Sequence, residues 1–213
     1  MSNEEKIERL KNYRRALYYI DMVEGFVNIG AMANKDYNLL VPEQVKVADD
    51  FVESGDSLNF VGEGHSKNSH EFLSYPEHCV LGTKEAEFIP AFGKYLVLPD
   101  TRIYRKNSIN GMLNDQVRAD LKQMKNLREI VFTGVCEDLC VMDFARTCAR
   151  FMDELDRDVK LFVIANCVDT FDAPGHNREE WKKIARMVME QAGIIYVDSY
   201  EDLKEKEKTL VLR

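Results

Sequence analysis

REIVFTGVCEDLCVMDFARTCARFMDEL, residues 128–155, decides the fold. Its first eight residues are rich in β-branched side chains and bounded by Gly134. They read as a strand buried on both faces. From Cys136 onward the apolar residues fall at helical spacing, so the same stretch continues as a helix over CEDLCVMDFARTCARFMDEL. A buried strand that feeds straight into a helix is half of a strand–helix–strand crossover.

The pattern repeats on both sides. Downstream, VKLFVIAN (159–166) reads as a strand, REEWKKIARMVMEQAG (178–193) as an amphipathic helix closed by Gly193, and IIYVDS (194–199) as the last strand. Upstream, ALYYID (16–21) and SLNFVGE (57–63) read as strands around a helix over DYNLLVPEQVKVADDFVES (36–54). Asp36 is a possible cap for that helix, and Pro42 marks its start or a kink. KYLVLPDTRIYRKN (94–107) holds short strand material before a helix over 113–125. MVEGFVNIGAMANK (22–35) reads as a loop, and the charge run EDLKEKEK (201–208) as a solvated helix or tail. Alternating strands and helices predict a three-layer α/β/α fold, Rossmann-like, around a mostly parallel sheet of about six strands. The expected organisation is one domain over 1–213, with a helical extension at about 1–14. In such sheets the reactive residues lie in the loops after the carboxyl ends of the strands.

Composition narrows the function. Lys and Arg total 29 against 37 Asp and Glu, a formal charge of −8, so the chain lacks the basic footprint of a nucleic-acid binder. No apolar run is long enough to span a membrane, and the charged start MSNEEKIERLKNYRR is unlike a signal peptide. Five cysteines without a disulfide spacing point to a reducing, cytoplasmic home. No phosphate-binding glycine pattern follows any strand, which leaves a nucleotide-binding reading without support.

Three places carry candidate chemistry. Cys140 lies where the central strand gives way to its helix, and a helix N-terminus lowers a thiol's pKa. A buried apolar cysteine is the plain alternative, and Cys136, four residues earlier, raises a redox pair whose spacing is not C-x-x-C. Cys148 reads as helix core and Cys167 as a strand-end residue. Asp21 ends a nearly all-apolar strand, as a crevice carboxylate or a turn cap, and Lys106 follows another strand-like segment. EGHSKNSHEFLSYPEHC, residues 63–79, holds three of the four histidines. Glu63, His65, His70 and His78 suit a borderline divalent ion such as zinc, either as a water-activating centre or as a substrate anchor. A polar surface loop is the alternative.

Together these residues resemble the isochorismatase-like cysteine hydrolases, and within them the nicotinamidase/pyrazinamidase group, over about residues 15–198. The family's first strand ends in D-x-Q-N-D-F. Here DMVEGF matches at Asp21 and Phe26 and departs at Val23, Glu24 and Gly25. The family's metal segment is D-x-H, a further His, then W-P-x-H-C-V-x-G-T-x-x-A-E-F. Here it is EGH, His70, then YPEHCVLGTKEAEF, with Glu63 for the usual Asp and Tyr75 for the usual Trp. GVCEDLCV matches the nucleophile motif G-V-A-T-D-x-C-V, with Cys140 on the nucleophile and Cys136 after a non-proline cis bond. Lys106 is the loosest match.

The resemblance implies an isochorismatase-like hydrolase fold and hydrolysis of nicotinamide to nicotinate and ammonia, a step of NAD salvage. It implies Asp21, Lys106 and Cys140 as catalytic residues. Phe26 and Tyr75 would line the substrate pocket, and the Cys136 and Cys140 N–H groups would receive the oxyanion. One divalent ion, zinc with iron or manganese as alternatives, would sit on Glu63, His65, His78 and His70, with Glu71 a rival for the last place. The expected partner is a small aromatic amide, with no nucleic acid and no membrane, and the family's habit implies a homo-oligomer. The competing readings are a metal-free amidase or carbamoyl hydrolase of the same superfamily, a metal–water hydrolase with Cys140 in the core, and a non-enzymatic binding protein.

Overall fold

The computed structural model describes residues 3–211. Six strands form one parallel sheet: β1 (Arg15–Ile20), β2 (Ser57–Glu63), β3 (Arg102–Lys106), β4 (Glu129–Val135), β5 (Lys160–Asp169) and β6 (Ile195–Val197). Their spatial order is β3-β2-β1-β4-β5-β6. The chain therefore builds outward from β1 to one edge, then returns to β1's other side with β4 and builds to the opposite edge. That reversal opens a crevice at the carboxyl ends of β1 and β4, where ligands bind in open parallel sheets.

Adjacent residues in β1 point to opposite faces. Tyr18 packs with Phe132 and Phe144 in one buried layer, and Tyr19 packs with Phe60 and Phe92 in the other. The first layer is covered by α1 (Asn3–Asn12), α5 (Asp115–Gln123), α6 (Met142–Glu154) and α7 (Arg178–Gln191). The second is covered by α2 (Glu24–Val27), α3 (Val41–Glu53), α4 (Gly93–Leu96) and α8 (Tyr200–Val211). The three-layer α/β/α architecture expected from the alternation is the one observed. Among the described residues, no helix is long and apolar enough to cross a membrane.

One glycine sets the closeness of the central strands. Gly134 has φ +116°, and a Cβ there would lie 2.0 Å from the Ile20 carbonyl oxygen. Only glycine allows β4 to run against β1 at this point, beside the crevice.

The structure differs from the sequence reading in local detail. The helix expected to begin at Cys136 is preceded by a wide turn over Glu137–Val141, closed by Val141 N–H donating to the Cys136 carbonyl at 3.1 Å. Regular α-helix starts at Met142. Residues 35–40 form a 3₁₀ turn capped by Asn34, whose side chain accepts from the Asp36 N–H, so Asp36 is not the cap. Pro42 sits in the first turn of α3, where its missing N–H costs nothing. The expected loop 22–35 contains the single turn of α2.

Candidate active site

Three strand ends meet at the crevice. Asp21 follows β1 directly, in a left-handed conformation with φ 54°. Glu63 closes β2 and Lys106 closes β3, paired in register. The Glu63 N–H donates to Asp21 Oδ1 at 2.9 Å. Lys106 Nζ lies 2.8 Å from Asp21 Oδ2 and 2.7 Å from Glu63 Oε1. Cys140 enters from the wide turn after β4, with Sγ 3.6 Å from Lys106 Nζ. All four side chains are buried. The structure thus brings together Asp21, Lys106 and Cys140, which lie far apart in sequence.

Burial sets the electrostatics, because it penalises whichever form is charged. It pushes the Asp21 carboxyl up, with Lys106 opposing and Glu63 reinforcing the shift. Burial also works to raise Glu63, but Lys106 and the imidazoles of His65 and His78 outweigh it and hold that carboxyl well below the usual range. Burial lowers Lys106, and Asp21, Cys140 and Glu63 more than reverse this, so the ammonium is strongly held. Cys140 departs from expectation. Burial drives its thiol well above the ordinary value, with only Lys106 opposing. The cause is positional: Cys140 lies inside the wide turn, not at the open N-terminus of α6. A thiol held in this way ionises less readily than an exposed one.

The histidine-rich stretch folds back on itself. His65 N–H donates to the Cys79 carbonyl at 3.0 Å and Leu81 N–H to the His65 carbonyl at 2.9 Å, which sets His78 beside His65. Ligand-capable atoms of Glu63, His65, Glu71 and His78 lie within 4.8 Å of one another. Nε2 of His65 and Nε2 of His78 stand 2.9 and 2.7 Å from Glu63 Oε2. His78 Nδ1–H donates to the Pro76 carbonyl at 2.7 Å, so its Nε2 turns a lone pair toward the carboxylate. Two acceptors at that separation require a cation between them, either a second proton or a metal ion. Ring nitrogens oriented from behind in this way are typical of histidine ligands. The donor set suits a divalent ion of the borderline class.

His70 does not join this cluster. It is exposed at the start of a 3₁₀ turn over His70–Leu73, while the next residue, Glu71, is half-buried and brings Oε1 to 3.9 Å from His65 Nε2. Glu71, not His70, therefore brings a ligand-capable atom within reach of the cluster. Phe72, which the sequence reading passed over, packs edge-on against both imidazoles, at 5.2 Å from His65 and 5.7 Å from His78. An aromatic inside a His-rich turn was the available signal.

The remaining candidates border the crevice. Phe26 packs on His78 with ring centroids 5.4 Å apart. Tyr75 is half-buried, and burial, then Glu71, Cys140 and Cys136, raise its hydroxyl pKa. The Val135–Cys136 bond is cis. Cys136 Sγ lies 3.3 Å from the Tyr37 hydroxyl. Both line a cavity of about 640 Å³, together with Phe26, Phe171 and Arg178. The five cysteines are free, so Cys136 and Cys140 form no disulfide.

The chain matches the model of the isochorismatase domain over residues 15–195. It is 32% identical over 182 residues to nicotinamidase 1 of Arabidopsis thaliana, covering 78% of this chain and 73% of that protein. Pyrazinamidase/nicotinamidase of Streptococcus mutans superposes with a TM-score of 0.73 at 18% identity, covering 86% of this chain and 99% of that one. Pyrazinamidase of Pyrococcus horikoshii in complex with zinc gives 0.70 at 21%, covering 86% and 98%. N-carbamoylsarcosine amidase of Thermoplasma acidophilum gives 0.68 at 22%, covering 86% and 95%, so the fold is common to enzymes named for different amides. On the extent of the domain match and the identity to the plant protein, the chain belongs to the isochorismatase family, in its nicotinamidase/pyrazinamidase subfamily.

Proposed function

We propose that this cysteine hydrolase converts nicotinamide to nicotinate and ammonia, a step of pyridine nucleotide salvage. The observation that supports this most is the adjacency of two half-sites. The thiol–lysine–carboxylate group and the metal-competent cluster share Glu63, one oxygen facing each. A planar amide with a ring nitrogen spans such a pair.

A divalent ion on Glu63, His65, His78 and Glu71, zinc in our reading, would supply a Lewis acid that grips the ring nitrogen. Phe26 and Tyr75 border the ring and limit its orientations, which removes part of the entropic barrier. Asp21 takes the Cys140 proton as Sγ bonds to the amide carbon. Its raised pKa makes it a stronger acceptor for a thiol that is itself hard to ionise. Lys106 stays charged beside both groups and balances the negative charge that passes between them. The backbone N–H groups of Cys136 and Cys140 receive the oxyanion, worth on the order of 3 kcal/mol for one donor. Asp21 returns its proton to the departing nitrogen, and the C–N bond breaks to leave a thioester on Cys140. Asp21 then deprotonates a water that attacks the thioester carbon. The acid leaves, and the proton returns to the thiol.

The test is an ammonia-release screen with nicotinamide, pyrazinamide and non-aromatic amides, before and after chelation. Nicotinamide and pyrazinamide should be turned over, and chelation should abolish that turnover. One rival on the same fold, which N-carbamoylsarcosine amidase shares, is a carbamoyl amidase that needs no metal. Preference for a non-aromatic amide, unaffected by chelation, would establish the rival instead.

A further inference from the structure

His176, the fourth histidine, lies outside the His-rich stretch, in the segment DAPGHN (172–177). Its placement is encoded locally. Ala173 and His176 exchange backbone hydrogen bonds of 3.0 and 2.9 Å across Pro174 and Gly175, the latter at φ +81°. Proline followed by a glycine with positive φ is the pairing a type II turn requires. Asn177 then caps α7 by accepting from the Glu180 N–H. The imidazole is thereby stacked between two aromatic rings. Phe171 lies 3.9 Å away at 10°, and Trp181, the single tryptophan of the chain, 5.0 Å away at 3°.

The edge of this stacked ring points at the nucleophile's turn. His176 Nε2 pairs with Asp138 Oδ2 at 2.8 Å, while its Nδ1–H donates to the Phe171 carbonyl at 3.1 Å. The Thr170 hydroxyl donates to the other Asp138 oxygen, Oδ1. Asp138 is 2% exposed and sits two residues before Cys140, in the wide turn Glu137–Val141. Phe171 also lines the 640 Å³ cavity that reaches Cys136. One side chain therefore touches both the turn that carries Cys140 and a wall of the cavity.

We propose that His176 is a positioning residue with two effects. Its Nε2 edge holds Asp138, and through it the turn that aims Cys140 and the Cys136 and Cys140 N–H groups. Its ring fixes Phe171 as a cavity wall. The inference rests on reading Cys140 as the nucleophile, but its geometric part is independent of the substrate. A displacement of a nucleophile by about 1 Å costs on the order of a hundredfold in rate, so a small loosening of this turn is kinetically visible.

The test compares H176L with H176Q in the full chain, by amide hydrogen exchange over residues 136–141 and by steady-state turnover of nicotinamide. Leucine removes the aromatic ring and both of its hydrogen-bonding nitrogens. Exchange over 136–141 should rise by about tenfold or more, and kcat should fall at least about tenfold. Glutamine offers an N–H to Asp138 and loses the stack. Exchange and kcat should stay within about threefold, while KM rises several-fold. If H176L does not fold, D138N, which removes the carboxylate acceptor, should give the same rise over 136–141. Unchanged exchange in the variant that folds overturns the inference, as does an H176Q as impaired in kcat as H176L. Raised exchange in H176L, alongside a wild-type protein that releases no ammonia from nicotinamide, would instead sink the proposed function and leave the positioning role standing.

Discussion

Glu63 and Lys106 form a buried ion pair, Oε1 to Nζ at 2.7 Å, while the second oxygen of the same carboxylate faces the two imidazoles. The glutamate stands where the family's motif has aspartate, and its one carboxylate faces both halves of the site. E63Q should lose both functions, with ion affinity and kcat each down by more than about tenfold. E63D should still take up the ion but hold Lys106 less well, with kcat down by about tenfold. Metal analysis and turnover on the same preparations check this, and a wild-type kcat in E63D would remove the bridging role.

The metal cluster makes a second, sharper distinction. Glu71 lies near His65 and His70 is exposed. E71Q should weaken ion binding by about tenfold or more, and H70Q should change it less than about twofold. Competitive titration against a chromogenic chelator measures both. The reverse ranking would restore His70 as the ligand.

Glu137 supplies a pH prediction away from the metal. Burial raises its carboxyl to about 7, against the opposing hydrogen bond from the Tyr196 hydroxyl and the charge of Lys182. The folded state therefore binds a proton that the unfolded chain, titrating near 4.5, has already lost. This contribution to stability is complete below the unfolded value and disappears as pH rises through the folded one. E137Q keeps a neutral side chain at every pH. Thermal melts from about pH 5 to 8 should fall more steeply for wild type than for E137Q. Parallel curves would contradict the assignment.

Gly134 tests the strand spacing that forms the crevice. A Cβ there would strike the Ile20 carbonyl, and φ +116° is itself unfavourable for alanine. G134A should cost at least about 3 kcal/mol, visible as a large drop in melting temperature or as loss of soluble protein. A variant as stable as wild type would mean that β1 and β4 are not held as described.

The sheet was largely legible in the sequence. Runs such as ALYYI and EIVFTGV are buried almost end to end, and that is what near-continuous apolar strands in a parallel sheet look like. Gly193 after α7 marked that helix's end, as expected of a C-terminal glycine. What escaped detection depends on tertiary orientation. Helical spacing does not separate a wide turn at Glu137–Val141 from an α-helix, because both set apolar residues three to five apart. His70 and Glu71 are neighbours with similar ligand chemistry, and only the fold of their 3₁₀ turn decides which faces inward. Asn34 and Asp36 both suit a cap, and the backbone chose the first. The raised pKa of Cys140 follows from burial by segments distant in sequence, which no local pattern reports. His176 lay beyond the matched motifs, although its P-G-H-N turn was readable as a device for fixing a ring.

In the proposed reaction Cys140 forms and releases a thioester, while a bound ion only holds the substrate. Ammonia release from nicotinamide by metal-loaded C140A measures this most directly, with circular dichroism and metal content confirming an intact protein. The account predicts no release above the uncatalysed background. Retained turnover by the folded, metal-loaded variant would contradict it and assign the chemistry to the metal site.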